Sequence, residues 1–208
     1  KGKAMSVCII DYGMGNLLSV KRAFEKCGAD VKIAKKPEEL YLATHIILPG
    51  VGAFADGINN LKVGKWDKVL DEIVKEKKIP ILGICLGMQL FATYGYESGE
   101  VEGLNYIEGE VVKLEAKEIF ERVPHVGWND IRKINNNELL EGIEDNTDFY
   151  FVHSYKYVTK NEEDIVCKTN YCGEFTSVIN KDNIWGVQFH PEKSQKSGFK
   201  LINNFLNL

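Results

Sequence analysis

PILGICLGMQLF, from Pro80 to Phe91, decides the fold of this 208-residue chain. Ile79 to Ile84 is a short, β-branched run that reads as a buried strand, and Leu86, Met88 and Leu90 open a helical pattern. Cys85 is the corner between them, with Gly83 and Gly87 on either side.

Outward from that corner the chain alternates. Val7 to Ile10 is an apolar run ending at Asp11, and Asn16 precedes Leu17, Val20, Phe24 and Cys27 at helical spacing. That pattern predicts strand, loop and capped helix. Gly28 stops the helix, residues 31–34 give a second strand, residues 37–43 a short helix opened by proline, and residues 45–50 a third strand. Trp66, Val69, Leu70, Ile73 and Val74 predict a longer amphipathic helix before the strand that reaches Cys85. In the second half, residues 109–114, 148–158, 175–180 and 184–189 are strand-like and joined by turns such as Lys181-Asp182-Asn183, and Phe199, Ile202, Phe205 and Leu206 space a closing helix. The expected fold class is α/β: a mostly parallel open sheet flanked by helices, with antiparallel additions in the second half.

Composition sets the limits. A hydrophobic content of 44% in 208 residues suits one sizeable core, so a single domain over residues 5–208 is expected. The Lys-Gly-Lys-Ala before Met5 reads as a vector-derived remnant. A net charge of −4, a pI near 5.7 and scattered basic residues argue against a nucleic-acid surface. No apolar run has membrane-spanning length and no signal sequence is evident, so a cytoplasmic location without membrane attachment is expected. Five cysteines, an odd number, fit reduced thiols better than a disulfide framework.

Gly83-Ile84-Cys85-Leu86-Gly87 has the layout of a G-x-S-x-G strand-turn-helix elbow with sulfur in place of oxygen. At such a corner the next helix's dipole favours a thiolate, and the Leu86 N–H can face a developing oxyanion. The bland alternative is a small buried residue in a tight turn. A second signal is Trp185-Gly-Val-Gln-Phe-His-Pro-Glu-Lys-Ser194, where His190 and Glu192 flank a proline just after an apolar strand. Proline would hold the two in a stiff extended segment, with Glu192 orienting the imidazole while His190 exchanges protons with Cys85. A His-Pro-Glu alone is as well read as a turn; with the cysteine elbow it reads as nucleophile, base and orienter.

Together, GICLGMQ at 83–89 and GVQFHPEKS at 186–194 resemble the class I glutamine amidotransferases, which use a Cys-His-Glu triad. DYGMGN at 11–16, PGVGAF at 49–54, PHVGWN at 124–129 and FVHSY at 151–155 make the chain, from Val7 to its end, similar to their imidazole glycerol phosphate synthase glutaminase branch. The resemblance implies that Cys85 attacks the side-chain amide of L-glutamine, giving a γ-glutamyl thioester and ammonia, and that water then releases glutamate. It implies an oxyanion role for Val51 and Gly52, whose peptide turns toward the site only when a partner is engaged; the sequence alone reads them as a glycine-rich turn. Substrate contacts fall on Gln89, Glu97, Ser154 and Tyr155. Glu97 is set in a stretch that departs from the family's acidic run, which leaves Glu100 as its rival, and His153 reads as structural.

Asp11, Asn16 and Trp128 resemble positions that meet a (β/α)₈-barrel synthase (cyclase) subunit in a heterodimer, with an ordinary core tryptophan as the alternative for Trp128. The implied function is ammonia supply to imidazole glycerol phosphate synthesis in the histidine pathway. Similar subunits serve amidation of surface-polysaccharide or flagellar-glycan sugars, and the residues 92–100 leave that reading open. A cysteine hydrolase or a non-catalytic binding domain is the reading from another class. No cofactor and no metal is expected: DYGMGN lacks the glycines and lysine of a nucleotide loop, and Cys167 and Cys172 lack two further ligands nearby. His45 and His125 have no partner that the sequence identifies.

Overall fold

The computed structural model describes residues 5–208; the expected remnant at positions 1–4 lies outside the described residues. The strands run β1 Ser6–Ile10, β2 Asp30–Ala34, β3 His45–Leu48, β4 Ile81–Ile84, β5 Tyr94–Gly95, β6 Val101–Glu102 and β7 Gly109–Lys113, then β8 His125–Asp130, β9 Arg132–Lys133, β10 Asp148–His153, β11 Tyr155–Thr159, β12 Ile165–Asn170, β13 Glu174–Lys181 and β14 Ile184–Val187. The helices are α1 Leu17–Lys26, α2 Phe54–Val63, α3 Trp66–Leu70, α4 Leu86–Gln89 and α5 Gln195–Leu206.

Twelve strands form one sheet in the order β2-β1-β3-β4-β14-β13-β11-β7-β5-β6, with β12 on β13 and β9 on β12. From β2 to β14 every pairing is parallel, and the remaining pairings are antiparallel apart from β5 on β7. The parallel strands read as continuous apolar runs because both faces are covered. Val7, Ile9, Ile47, Leu82 and Ile84 pack with Val20 and Phe24 of α1 and Leu201, Ile202 and Phe205 of α5. Cys8, Ile10, Ile46, Leu48 and Ile81 pack on the other face with Phe54, Ile58 and Leu61 of α2 and Trp66 of α3.

Four features depart from the sequence pattern. Helix α2 was not expected, although Phe54, Ile58 and Leu61 carry its spacing. The helix from Trp66 widens after Leu70 into a π-turn over Asp71–Glu76, which keeps Ile73 and Val74 buried. After Cys85 the helix lasts one turn, because the carbonyls of Leu90, Phe91 and Ala92 accept from Leu104, Tyr106 and Asn105 instead of continuing the helix. The run 148–158 is not one strand: it splits at Ser154, so that β11 joins the main sheet while β10 pairs with β8 in a separate two-stranded sheet.

The placement of β14 builds the site. Although it hairpins antiparallel with β13, it also lies parallel to β4, with Val187 opposite Ile84. Both strands therefore end at the same edge, and the residues that follow each, Cys85 and Gln188 to His190, meet there. No helix among the described residues is long and apolar enough to cross a membrane.

Candidate active site

Cys85 stands at φ 55° and ψ −111°, a left-handed backbone that a non-glycine residue adopts at a cost of about 1–3 kcal/mol. The peptide is held there by its N–H on Val187 O (2.8 Å) and by Gln89 N–H on its carbonyl (3.2 Å). The flanking glycines are needed for space. A Cβ on Gly87 would sit 1.7 Å from the Leu48 carbonyl oxygen, and one on Gly83 would sit 2.7 Å from Met88 N. The elbow is thus wedged against β3 and against its own first turn, and the strain falls on the cysteine.

His190 follows β14 in an extended conformation, and Pro191–Lys193 close into a single 3₁₀ turn rather than the stiff extended segment expected. That turn carries Glu192 back to the imidazole: His190 Nδ1 donates to Glu192 Oε1 at 2.7 Å. His190 N–H donates to Tyr150 O (2.9 Å), and Ser194 Oγ donates to His190 O (2.6 Å), so β10 fixes the segment from behind. The Cys85 side chain stands near enough to act on the His190 ring and raise its pKa. His-Pro-Glu is a turn and a histidine–carboxylate pair at once.

Burial pulls the His190 pKa down, but the neighbouring Cys85 side chain and the hydrogen-bonded Glu192 carboxylate outweigh it and raise it to about 10. A raised folded-state pKa means that stabilisation by the imidazolium is full below the ordinary value of 6.5 and is lost as pH rises through about 10. Cys85→Ala removes one of the two partners that raise it. The His190 imidazole resonances should then titrate at lower pH than in the native protein by NMR, and an unmoved titration would show that the sulfur does not act on this ring.

A cleft of about 460 Å³ opens in front of the sulfur and is lined by Val51, Gly52, Cys85, Leu86, Gln89, Glu97, Ser154 and Tyr155. The expected oxyanion and substrate positions therefore line one cleft. Glu97 reaches the cleft and its Oε2 accepts from Phe54 N–H (2.9 Å), capping α2; Glu100 accepts from Tyr96 OH (3.1 Å) and is not among the lining residues. Gln89 is buried and its Nε2 donates inward to Tyr155 O (3.2 Å) and Gln188 Oε1 (3.1 Å).

Leu86 lines the cleft, and in this structure its N–H donates to Gly50 O at 3.2 Å; α4 has only four residues, too short for the dipole argument to carry much weight. Gly52 sits at φ +119°, which favours glycine. Val51 and Gly52 N–H groups donate to no backbone acceptor among the described residues.

Asp11 Oδ1 accepts from Gly13 N–H (3.4 Å), and Asn16 caps α1 through Ser19 N–H (3.4 Å). Asn16 also lines a small recess of about 20 Å³ with Val51, His190 and Glu192. Trp128 is 48% exposed and meets Tyr150 edge-on, so it is not a core residue. Cys167 and Cys172 are buried free thiols, and no group of three or more metal-ligating side chains occurs among the described residues.

Sequence reasoning missed Gln188, Tyr12 and a histidine pair. Gln188 is fully buried and its Nε2 lies 3.7 Å from Cys85 Sγ; an amide inside the apolar run Trp185–Phe189 was the signal. Tyr12 OH donates to Pro49 O at 2.5 Å, and a Cβ on Gly50 would collide with that hydroxyl, so the segment before Val51 is held in place. His125 Nδ1 and His153 Nε2 are 2.9 Å apart beneath the cleft wall.

Residues 8–208 match the family model for class-I glutamine amidotransferases, and the chain belongs to that family. Within it, the chain is 48% identical over 202 residues to imidazole glycerol phosphate synthase subunit HisH 1 of Campylobacter jejuni (strain RM1221), covering 97% of this chain and 100% of that one. It is 46% identical to subunit HisH 2 of Methanococcus maripaludis, covering 96% of this chain and 98% of that one. Among solved structures, PurLQS from Thermotoga maritima superposes with a TM-score of 0.78 at 19% identity, covering 99% of each chain, a likeness of fold.

Proposed function

We propose that this chain is the glutaminase subunit of imidazole glycerol phosphate synthase: it hydrolyses L-glutamine to glutamate and delivers the ammonia to a (β/α)₈-barrel synthase subunit in the histidine pathway. The observation that carries the chemistry is a strained cysteine, lining an open cleft, whose side chain raises the pKa of a histidine hydrogen-bonded to a buried carboxylate. Names and coverage of the relatives favour this acceptor over a glycan sugar.

Cys85 is the nucleophile in this reading, His190 the base and then the acid for the leaving ammonia, and Glu192 the group that orients the ring and stabilises its charge. Glu97 takes the substrate amino group, and the Ser154–Tyr155 backbone takes its carboxylate. Acid–base assistance of this kind contributes about 10²- to 10⁴-fold. The bond from Leu86 N–H to Gly50 O, beside a glycine-rich peptide, fits a resting state whose oxyanion donors are not yet assembled. Partner engagement would have to move residues 50–52.

Glutamine hydrolysis measured with and without the barrel subunit, with the acceptor product identified, tests the reading. Turnover switched on by that subunit and nitrogen recovered in imidazole glycerol phosphate are expected; activation only by a sugar-amidating partner would move the chain to the other branch. Trp128→Ala should weaken activation by the barrel at least tenfold, the scale of an interface hot spot, while leaving Tm nearly unchanged because the ring is half exposed. Equal activation of mutant and native protein would remove Trp128 from the contact.

A further inference from the structure

The carbonyl oxygen of Tyr155 can only accept, and two donors meet on it. His153 Nδ1 approaches to 2.8 Å and Gln89 Nε2 to 3.2 Å. That single acceptor fixes the proton direction of everything attached to it. On the outer arm, burial lowers the His153 pKa to about 3 and that of His125 to about 4, so both rings are neutral. With its proton on Nδ1, His153 accepts at Nε2 from His125 Nδ1 (2.9 Å), and His125 in turn accepts at Nε2 from Asn129 Nδ2 (3.2 Å). On the inner arm, Gln89 Nε2 spends its second proton on Gln188 Oε1 (3.1 Å). With its oxygen engaged, Gln188 must present Nε2 to Cys85 Sγ, 3.7 Å away.

We propose that Gln188 is a further catalytic residue, a fixed neutral donor to the Cys85 sulfur that stabilises the thiolate and is aimed by the line running back through Gln89 to Tyr155. The inference rests on Cys85 being the thiol that attacks glutamine. The sulfur has two polar neighbours besides His190, with opposite preferences: Val152 O, at 3.5 Å, accepts from a protonated thiol, whereas Gln188 N–H favours the anion. Proton transfer to His190 therefore exchanges one contact for the other. The Gln188 backbone is tied by its N–H to Ser177 O (2.9 Å) and the side chain is enclosed, so the donor needs no reorganisation during the reaction.

Gln188→Met keeps the length and removes the donor; Gln188→Leu removes the donor with a shorter apolar side chain. In the complex with the barrel subunit, both should lose about 10- to 100-fold in kcat, the range of a hydrogen bond to a charged group, with KM changed less than threefold. Alkylation of Cys85 by iodoacetamide, followed by peptide mass spectrometry, should slow by a similar factor. A role in packing alone would loosen the elbow and make that buried thiol react faster, so unchanged or accelerated alkylation overturns the proposal. On wild-type protein, modification of Cys85 with methyl methanethiosulfonate should move the Gln188 side-chain amide NMR resonances, and unmoved resonances overturn it even where a variant does not fold. If wild-type complex hydrolyses no glutamine, the parent reading fails; if it does while both variants match it, only this proposal fails.

Discussion

Replacing Cys85 with alanine is expected to abolish glutamine-dependent synthesis by the complex, by at least about 10⁴-fold because nucleophile and base act as a unit, while synthesis from added ammonium salts stays within a factor of about two. The asymmetry follows from position. Cys85 lines the cleft as a buried residue wedged between β3, β4 and β14, and its loss removes one small atom without touching the exposed Trp128 face. Both activities are measured on the same purified complex, with far-UV circular dichroism as a check on the fold. Equal loss of both would mean that the cysteine supports the assembly rather than the chemistry. Retention of the glutamine-dependent rate would place the nucleophile elsewhere.

Gly87→Ala should be the most destructive single methyl group in the protein. The added Cβ would lie 1.7 Å from the Leu48 carbonyl oxygen, a backbone atom in the middle of the parallel sheet that has no rotamer to change. Relief requires α4 to move away from β3, which breaks the Leu86-to-Gly50 hydrogen bond and displaces Cys85 from His190. Overpacking usually costs about 1–3 kcal/mol, and here the rigidity of both sides puts the expected loss at or above about 3 kcal/mol. Urea unfolding reads it directly. Gly99→Ala is a useful contrast, since nothing lies within 4 Å of its Cβ position and only its φ of +77° is penalised. A loss from Gly87→Ala no larger than that of Gly99→Ala would contradict the packing account of the elbow.

Much of this was legible because it is local. A β-branched run ending in glycine, cysteine and glycine specifies a strand, a corner and a helix start from the residues alone, and His190, Pro191 and Glu192 lie close enough in sequence for their hydrogen bond to be anticipated. What was not legible depends on register between distant segments. Nothing in residues 184–187 says that they pair parallel with β4 as well as antiparallel with β13, yet that pairing brings His190 to Cys85. The break at Ser154 is silent for the same reason: both halves carry strand residues, and only their partners, β8 and β7, differ. The capture of Leu86 N–H by Gly50 O is a contact across thirty-six residues, invisible to any pattern rule. Helix α2 is a different case, since its apolar spacing was present and unread beside the glycine-rich segment that precedes it. Trp128 could have been core or surface on composition alone, and the β8–β10 pair, standing apart from the main sheet, leaves it exposed.

The central claim is that the Cys85 sulfur carries the glutamyl group during turnover. Acid-quenching the working complex in saturating glutamine and mapping its peptides by mass tests it most directly. The account predicts a glutamyl thioester on the peptide that contains Cys85 and on none of the peptides that contain Cys8, Cys27, Cys167 or Cys172. Glutamine consumed at full rate with Cys85 unmodified, or with the glutamyl group on another side chain, would contradict it.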